Sequence, residues 1–182
     1  MATDKTTYVQ VRGFVEWARV FEFNREMPED ATDKKVRKGL EAVKGMYKLN
    51  FYPATAEEKQ KLINAGMSLD LYNSDKPRFQ KGSDLGIGEF VVLKRPHEKL
   101  YTNKEGETIN FGGPPPIVYF PANENGEYKK FDPETDGLIG NGTEVMLKVS
   151  IYGDDTAATI RFEKIGIINL VSYQSNNSNS GF

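Results

Sequence analysis

Two long strands separated by a short polar break constrain the fold of this chain more than any other feature. Residues 145–152 (VMLKVSIY) alternate apolar and polar side chains, and residues 159–171 (TIRFEKIGIINLV) resume an extended, branched pattern. A glycine-rich stretch, residues 138–143 (LIGNGT), comes directly before the first of them. Alternation with a period of two and enrichment in branched residues are typical of strands, so these residues predict a turn that leads into two long strands.

Similar patterns predict further strands upstream. Residues 8–23 are rich in aromatic and branched side chains, with Gly13 as a candidate bulge. One alternation places Val15, Trp17, Arg19 and Phe21 on one face of that strand. In residues 46–52 the side chains expected to face the core are Tyr47, Leu49 and Phe51, whereas Lys48, Asn50 and Tyr52 are expected to face outward. Residues 90–95 predict a third strand, and residues 117–120 predict another extended segment.

Helical signals are confined to two segments. Residues 33–44 carry Val36, Leu40 and Val43 at helical spacing and predict a helix or an ordered loop. Thr55 and Glu58 have the spacing of a capping box, which predicts a helix over residues 56–65.

This order of elements predicts a mainly β protein, specifically a five-stranded Greek-key barrel of the OB type. One helix is expected between strands 2 and 3, and long loops are expected as insertions. A jelly-roll sandwich is the alternative architecture. We expect residues 1–174 to form one OB-fold domain and residues 175–182, a serine- and asparagine-rich stretch, to form a flexible tail.

Composition argues against an enzyme. The chain has no cysteine and a single histidine, His97, which leaves little metal or nucleophile chemistry, and we expect no cofactor and an exposed loop position for His97. Residues 137–142 (GLIGNG) lack the Gly-Lys-Ser/Thr ending of a phosphate loop. The N-terminal residues lack a signal-peptide pattern, and no apolar run has the length of a membrane span.

The distribution of charge is more informative than its sum. The net charge is only -2, but residues 34–48 contain six basic side chains against one acidic side chain. Residues 76–104 contain seven basic against three acidic side chains. This uneven distribution of charge fits a basic groove on a mildly acidic protein, or alternatively two solvated basic loops.

Aromatic and basic residues alternate along the predicted strands in the way that single-stranded nucleic acid requires. Rings stack on bases and cations follow the phosphates. The alternative is that some of these rings belong to the core, as expected for Phe21 and Tyr47. The candidate nucleic-acid-binding residues are Trp17, Arg19, Lys48, Tyr52, Lys94, Arg95, Lys99, Tyr101, Lys148, Tyr152 and Arg161.

Three segments, in order along the chain, resemble a known family. Residues 45–51 (GMYKLNF), 139–143 (IGNGT) and 160–170 (IRFEKIGIINL) are similar to the replication single-stranded DNA-binding proteins of podovirus-type phages. The resemblance covers most of residues 8–173. It implies an OB-fold protein that coats single-stranded DNA during phage replication, recombination and repair in the cytoplasm of the infected host cell. It also implies contacts with the phage polymerase and helicase, and often a homodimer.

Two departures from the family pattern qualify this resemblance. Family members carry stacking aromatics in the loop between the last two strands, whereas residues 153–158 contain none, which leaves Tyr152 as the candidate. The family ends in an acidic tail closed by an aromatic residue, whereas this tail is neutral and ends in Phe182. Either Phe182 alone recruits partners, or self-regulation by an acidic tail is absent here.

Two other functional classes remain open on the sequence. A virion or tail structural protein with a β-barrel would form large assemblies and ignore DNA. An RNA- or partner-binding OB module would use the same stacking surface, because rings and phosphate contacts do not distinguish RNA from DNA.

Overall fold

The computed structural model describes residues 6–71, 76–153 and 159–173, and the protein is mainly β, as predicted. The helices are α1 (Lys34–Val43), α2 (Ala56–Asn64) and α3 (Pro133–Asp136), and short 3-10 turns occupy Glu22–Asn24 and Pro28–Asp30. The strands are β1 (Thr6–Arg19), β2 (Met46–Pro53), β3 (Gln80–Lys81), β4 (Glu89–Pro96), β5 (Leu100–Thr102), β6 (Thr108–Asn110), β7 (Ile117–Tyr119), β8 (Leu138–Ile139), β9 (Thr143–Tyr152), β10 (Thr159–Asn169) and β11 (Ser172–Tyr173).

One large sheet organises these strands. Its order is β3-β4-β2-β1-β9-β10-β7, and a parallel bridge between Lys94 and Arg161 also joins β4 to β10. The remaining pairs are the short antiparallel ribbons β5–β6 and β8–β11. The two long strands near the C-terminal end of the chain are therefore confirmed as neighbours, paired antiparallel along most of their length.

Alternation along the strands builds the core as the sequence indicates. In β9 the alternating row of buried apolar side chains is Val145, Leu147, Val149 and Ile151. In β2 the corresponding row is Tyr47, Leu49 and Phe51. Large apolar side chains of the two strands thus fill the same interior, and burial of each contributes roughly 1.5–3 kcal/mol to stability.

Strand β1 departs from the predicted alternation. Its register with β2 shifts between Glu16 and Arg19, so the bulge lies at Trp17 and not at Gly13. Gly13 pairs regularly, and a Cβ there would come within 2.1 Å of the Tyr52 carbonyl oxygen. The prediction that Trp17 shares a face with Val15 is wrong, because the extra residue of the bulge reverses the alternation.

Helix α2 starts at its predicted cap, and helix α1 starts after a cap at Asp33. Asp33 accepts hydrogen bonds from the backbone amides of Lys35 and Val36, so the segment that could be helix or loop is helix α1. Thr55 caps α2 through the Glu58 amide. The Glu58 carboxylate does not complete a capping box but accepts from the backbone N–H of Arg12 at 2.8 Å, which ties α2 to β1.

Candidate nucleic-acid interface

Four predicted binding residues lie in one line across four strands. Arg19 on β1 pairs with Lys48 on β2, Lys48 pairs with Lys94 on β4, and Lys94 pairs with Arg161 on β10. We call these four side chains the cation row. Since neighbouring strands lie about 4.8 Å apart, the row extends for roughly 14 Å.

The cation row places like charges side by side. Residues directly opposite on neighbouring strands interact through their side chains, and like charges in such positions destabilise a sheet. Lys48 and Lys94 are directly opposite each other. A bound polyanion would relieve this repulsion.

Acidic residues partly compensate one end of the row. The Arg19 guanidinium lies 3.1 Å from an Asp30 carboxylate oxygen and also donates to the carbonyl oxygens of Asn24 and Arg25. The pKa of Asp30 is held below its usual value mainly by a hydrogen bond from the Met27 backbone N–H. A hydrogen bond from the Arg19 side chain lowers it further. Lys48 lies 3.2 Å from a Glu26 carboxylate oxygen.

The other two cations of the row differ from each other. Nε of Arg161 lies 3.2 Å from Glu163 without hydrogen-bond geometry, while Nη2 donates to the Phe111 carbonyl. Burial lowers the pKa of Arg161 from its usual value. Lys94 is exposed and forms no ion pair with any residue in the described part of the chain.

Trp17 lies beside the first cation of the row. Its side chain is 68 % exposed, and it shares a surface pocket with Arg19, Phe23 and Tyr173. Its backbone has φ 52, a left-handed conformation that is rare for a bulky residue, and its N–H donates to Asn141 Oδ1 at 2.7 Å. Such strain persists only where surrounding structure holds it, and it concentrates at functional sites. The predicted glycine-rich turn thus contacts the backbone of β1 at the bulge that carries Trp17.

A ribbon of aromatic residues lies beside the last cation of the row. On β5 and just after β6, Tyr101 and Phe111 are both about half exposed, and their ring centroids are 6.1 Å apart. Lys99 is exposed at the base of this ribbon. The hydrogen bond from Arg161 to Phe111 anchors the ribbon to the row.

Tyr52 is not exposed to solvent, so its prediction as an accessible binding residue is wrong. It is 1 % exposed, its hydroxyl donates to Glu16 Oε1 at 2.6 Å, and the backbone N–H of Ser83 donates to it at 3.0 Å. The chain after β3 passes directly over the ring: a Cβ on Gly82 would lie 2.1 Å from the hydroxyl oxygen. Alternation predicted the correct side of β2, but it could not show that a later segment covers that side.

Arg95 is also buried, with 8 % of its surface exposed, contrary to its predicted place in an open basic cluster with Lys94. Its Nε donates to the Gly113 carbonyl at 2.7 Å, and Nη1 lies 2.9 Å from Glu163 Oε2. Because β4 alternates, Lys94 points to solvent while Arg95 points inward, where it holds the segment before β7 against β4. His97 lies in the loop directly after β4, as predicted, but it is only partly exposed, because its Nδ1 lies 2.7 Å from the hydroxyl of buried Tyr47.

The remaining predicted residues lie away from the row. Lys148 is exposed on β9, with its ammonium 5.0 Å from the centre of the Tyr8 ring, and Tyr152 is exposed at the end of the same strand. Phe182 and the predicted tail lie outside the described residues, as do residues 154–158 of the loop after β9.

A second aromatic and basic surface was missed by the sequence reasoning. It lies on the outer face of β1, β9, β10 and β7, and we call it the Tyr128 groove. Its lining residues are Gln10, Val118, Phe120, Tyr128, Met146, Lys148, Lys164 and Gly166. Gly166 on β10 contacts Phe120, and Phe120 stacks on Tyr128, but these residues are far apart in sequence and no local pattern indicates the contacts. Only Lys148 of this set was predicted as a binding residue.

Comparisons with known proteins do not identify the chain: no family model, no curated protein and no solved structure matches it. Within the described ranges, no group of three or more potential metal ligands occurs. No helix in those ranges is long and apolar enough to cross a membrane.

Proposed function

We propose that this protein binds single-stranded DNA without reading its sequence. The observation that carries the proposal is the cation row, a line of four positive side chains with exposed rings at both ends. Proteins that hold single strands combine a positive groove that follows the backbone with aromatic rings on which the bases stack.

The five strands β1, β2, β4, β9 and β10 form a Greek-key barrel of the OB type in this proposal. Support comes from their pairing. The five strands are neighbours in the order β4-β2-β1-β9-β10, and the bridge between β10 and β4 joins the two ends of this series. Support also comes from the order β9-β1-β2-β4, in which the fourth strand returns beside the first as in a Greek key. Helix α2 occupies the connection between the second and third of these strands.

The side chains divide into two roles. Trp17, Tyr101 and Phe111 offer ring faces for stacking, which contributes roughly 1–3 kcal/mol per base. Lys94 and Lys99 offer open charges for phosphates, whereas Arg19, Lys48 and Arg161 exchange part of their present contacts for phosphate oxygens. Tyr52 and Arg95 take no direct part because both are buried.

A role in phage replication and recombination rests on the resemblance of residues 45–51, 139–143 and 160–170 to the phage family. The second of these segments contains Asn141, whose side chain accepts the Trp17 N–H and so positions the proposed stacking ring. Polymerase and helicase contacts, a homodimer and a cytoplasmic location in the infected cell are parts of the same proposal.

The proposal is tested by titrating the fluorescence of Trp17, the single tryptophan of the chain, with an oligo-pyrimidine strand and with the matched duplex. We expect strong quenching by the single strand and little by the duplex, with affinity that falls as salt rises. Trp17→Ala should weaken binding of a labelled strand by about tenfold, as loss of one stacked base implies, with an almost unchanged melting temperature.

Trp17→Phe is the matched control, because it keeps a ring at the bulge and should retain most of the affinity. Absence of both quenching and a gel shift would contradict the proposal and favour the structural-protein alternative. Tighter binding of a matched RNA strand than of DNA would favour the RNA-binding alternative instead.

A further inference from the structure

The Tyr128 groove has the chemical composition of a nucleic-acid site. Its lining combines two lysines, Lys148 and Lys164, with two aromatic rings, Phe120 and Tyr128, and contains no acidic residue. Two glutamates on its strands are already engaged: Glu144 with Arg12 at 2.8 Å, and Glu163 with Arg95 at 2.9 Å.

The two lysines are held by rings instead of carboxylates. Lys148 and Lys164 are directly opposite on β9 and β10, so their charges repel. The ammonium of Lys148 lies 5.0 Å from the centre of the Tyr8 ring, and that of Lys164 lies 4.5 Å from the centre of the Tyr128 ring. Neither forms an ion pair with any described residue. Both charges therefore remain available to an anion.

The rings of the groove are placed against the sheet by a glycine. Phe120 packs so closely over Gly166 that a Cβ there would lie 2.9 Å from the Phe120 Cβ. Phe120 and Tyr128 are stacked with centroids 6.4 Å apart and planes 23° apart. Tyr128 remains 44 % exposed, which leaves ring surface for a planar ligand.

The groove continues from the cation row. Arg161, the last residue of the row, pairs with Ser150, which pairs with Tyr8 on β1. Gln10, Lys148 and Lys164 form the next such line, two residues further along β1 and β9 and three along β10, whose register shifts between Phe162 and Lys164. Two residues of a strand span roughly 7 Å. Tyr8 and Lys148 thus connect the two surfaces.

We infer that the Tyr128 groove is a second binding segment for the same single strand, in which Lys148 and Lys164 contact phosphates and Tyr128 stacks a base. This inference rests on the proposed function. A strand that leaves the cation row past Arg161 reaches the groove over Tyr8, so the protein occludes more nucleotides than the row alone would contact. A planar, polyanionic ligand is the one that two unpaired lysines and an exposed ring would both recognise.

The test measures affinity as a function of oligonucleotide length for the wild type, for Lys148→Glu with Lys164→Glu, and for Tyr128→Ala. For the wild type, affinity should keep rising after the strand is long enough to fill the row. For both variants it should level off at a shorter length, with about tenfold weaker binding of long strands for Tyr128→Ala. Trp17 quenching by short strands should remain.

Two control variants test whether the effects come from the groove itself and not from a change in net charge or a loss of folding. Lys34→Glu with Lys35→Glu makes the same change of charge on helix α1, which contributes no residue to the groove, and should keep the length dependence of the wild type. Tyr128→Phe keeps the ring and should also match the wild type. Unchanged melting temperatures would show that the groove variants fold.

The outcomes distinguish the two proposals. If the wild type binds and the groove variants show its full length dependence, the second segment is refuted while the proposed function stands. If the wild type neither quenches nor shifts with any strand, the proposed function fails and the inference fails with it.

Discussion

The cation row and the Tyr128 groove are both basic and aromatic, but they neutralise their charges differently. In the row, Arg19, Lys48 and Arg161 each lie within 3.2 Å of a carboxylate oxygen. In the groove, Lys148 and Lys164 lie over rings. A carboxylate competes with a phosphate for the same cation, whereas a ring face does not carry a negative charge that must be displaced.

This difference shows that a basic side chain on a strand can serve either local structure or ligand binding. Where an acid is close, the cation also fixes local structure, as Arg19 does by holding the carbonyls of Asn24 and Arg25. Where only a ring is close, the cation adds little to stability and is free to act in binding. Substitutions should therefore separate stability from binding differently in the two regions.

The largest expected effect is on stability, at the end of the row where Arg95 and Arg161 share Glu163. Arg95→Ala should lower the free energy of unfolding by about 3 kcal/mol, because it removes a buried partner of Glu163 and leaves the Gly113 carbonyl without its donor. Lys164→Ala in the groove should cost less than about 1 kcal/mol, since it removes only a ring contact. Urea denaturation of both variants measures the difference. Equal losses in the free energy of unfolding would contradict the proposed contrast between row and groove.

The mainly β class and most of the elements were predictable because their signals are local. Alternation in residues 145–152 and the cap at Thr55 each depend on near neighbours, and the structure has a strand and a helix there. The bulge at Trp17 was not predictable, since it depends on Asn141, which lies far along the chain and accepts the Trp17 N–H.

The candidate site was predictable only in part, for the same physical reason. Strand periodicity indicated that Lys48 points outward, and strand pairing places it opposite Lys94, another predicted binding residue. Periodicity could not show that residues after β3 bury Tyr52. Alternation along β4 does place Arg95 on the opposite face from Lys94, but the prediction grouped the two residues in one cluster. Nor could periodicity place Tyr128 beside Lys164, because that contact joins a loop to a strand distant in sequence.

A smaller effect should separate two lysines within the row. Lys94, which has no ion pair in the described chain, and Lys48, which pairs with Glu26, lie directly opposite each other. Each phosphate contact on a single strand contributes about 0.7 to the slope of log affinity against log salt. Lys94→Ala should reduce that slope by about this amount, and Lys48→Ala by less, because Glu26 already neutralises part of its charge.

Glu26→Gln supplies the matched test of that argument. It removes the competing carboxylate, so single-strand affinity should rise and a subsequent Lys48→Ala substitution should reduce the slope as much as Lys94→Ala does. Identical slopes for Lys48→Ala with and without Glu26 would show that the ion pair has no influence on binding, and the contrast between row and groove would lose its physical basis.

The smallest effect is a dependence of stability on pH that only the row should show. Hydrogen bonds from the Met27 amide and from Arg19 hold the pKa of Asp30 below the usual 3.8. A carboxyl group with a lowered pKa stabilises the folded state above its unfolded pKa, and this contribution disappears as the pH falls through the lower, folded value. The melting temperatures of the wild type and Asp30→Asn should therefore differ at pH 6, and the difference should begin to shrink as the pH falls below about 4. The difference between the wild type and Lys148→Ala should stay constant over the same range, because the lysine contacts a ring with no titrating acid. Convergence in both pairs would mean that the groove also depends on a carboxylate, and its charges would then be no more available than those of the row.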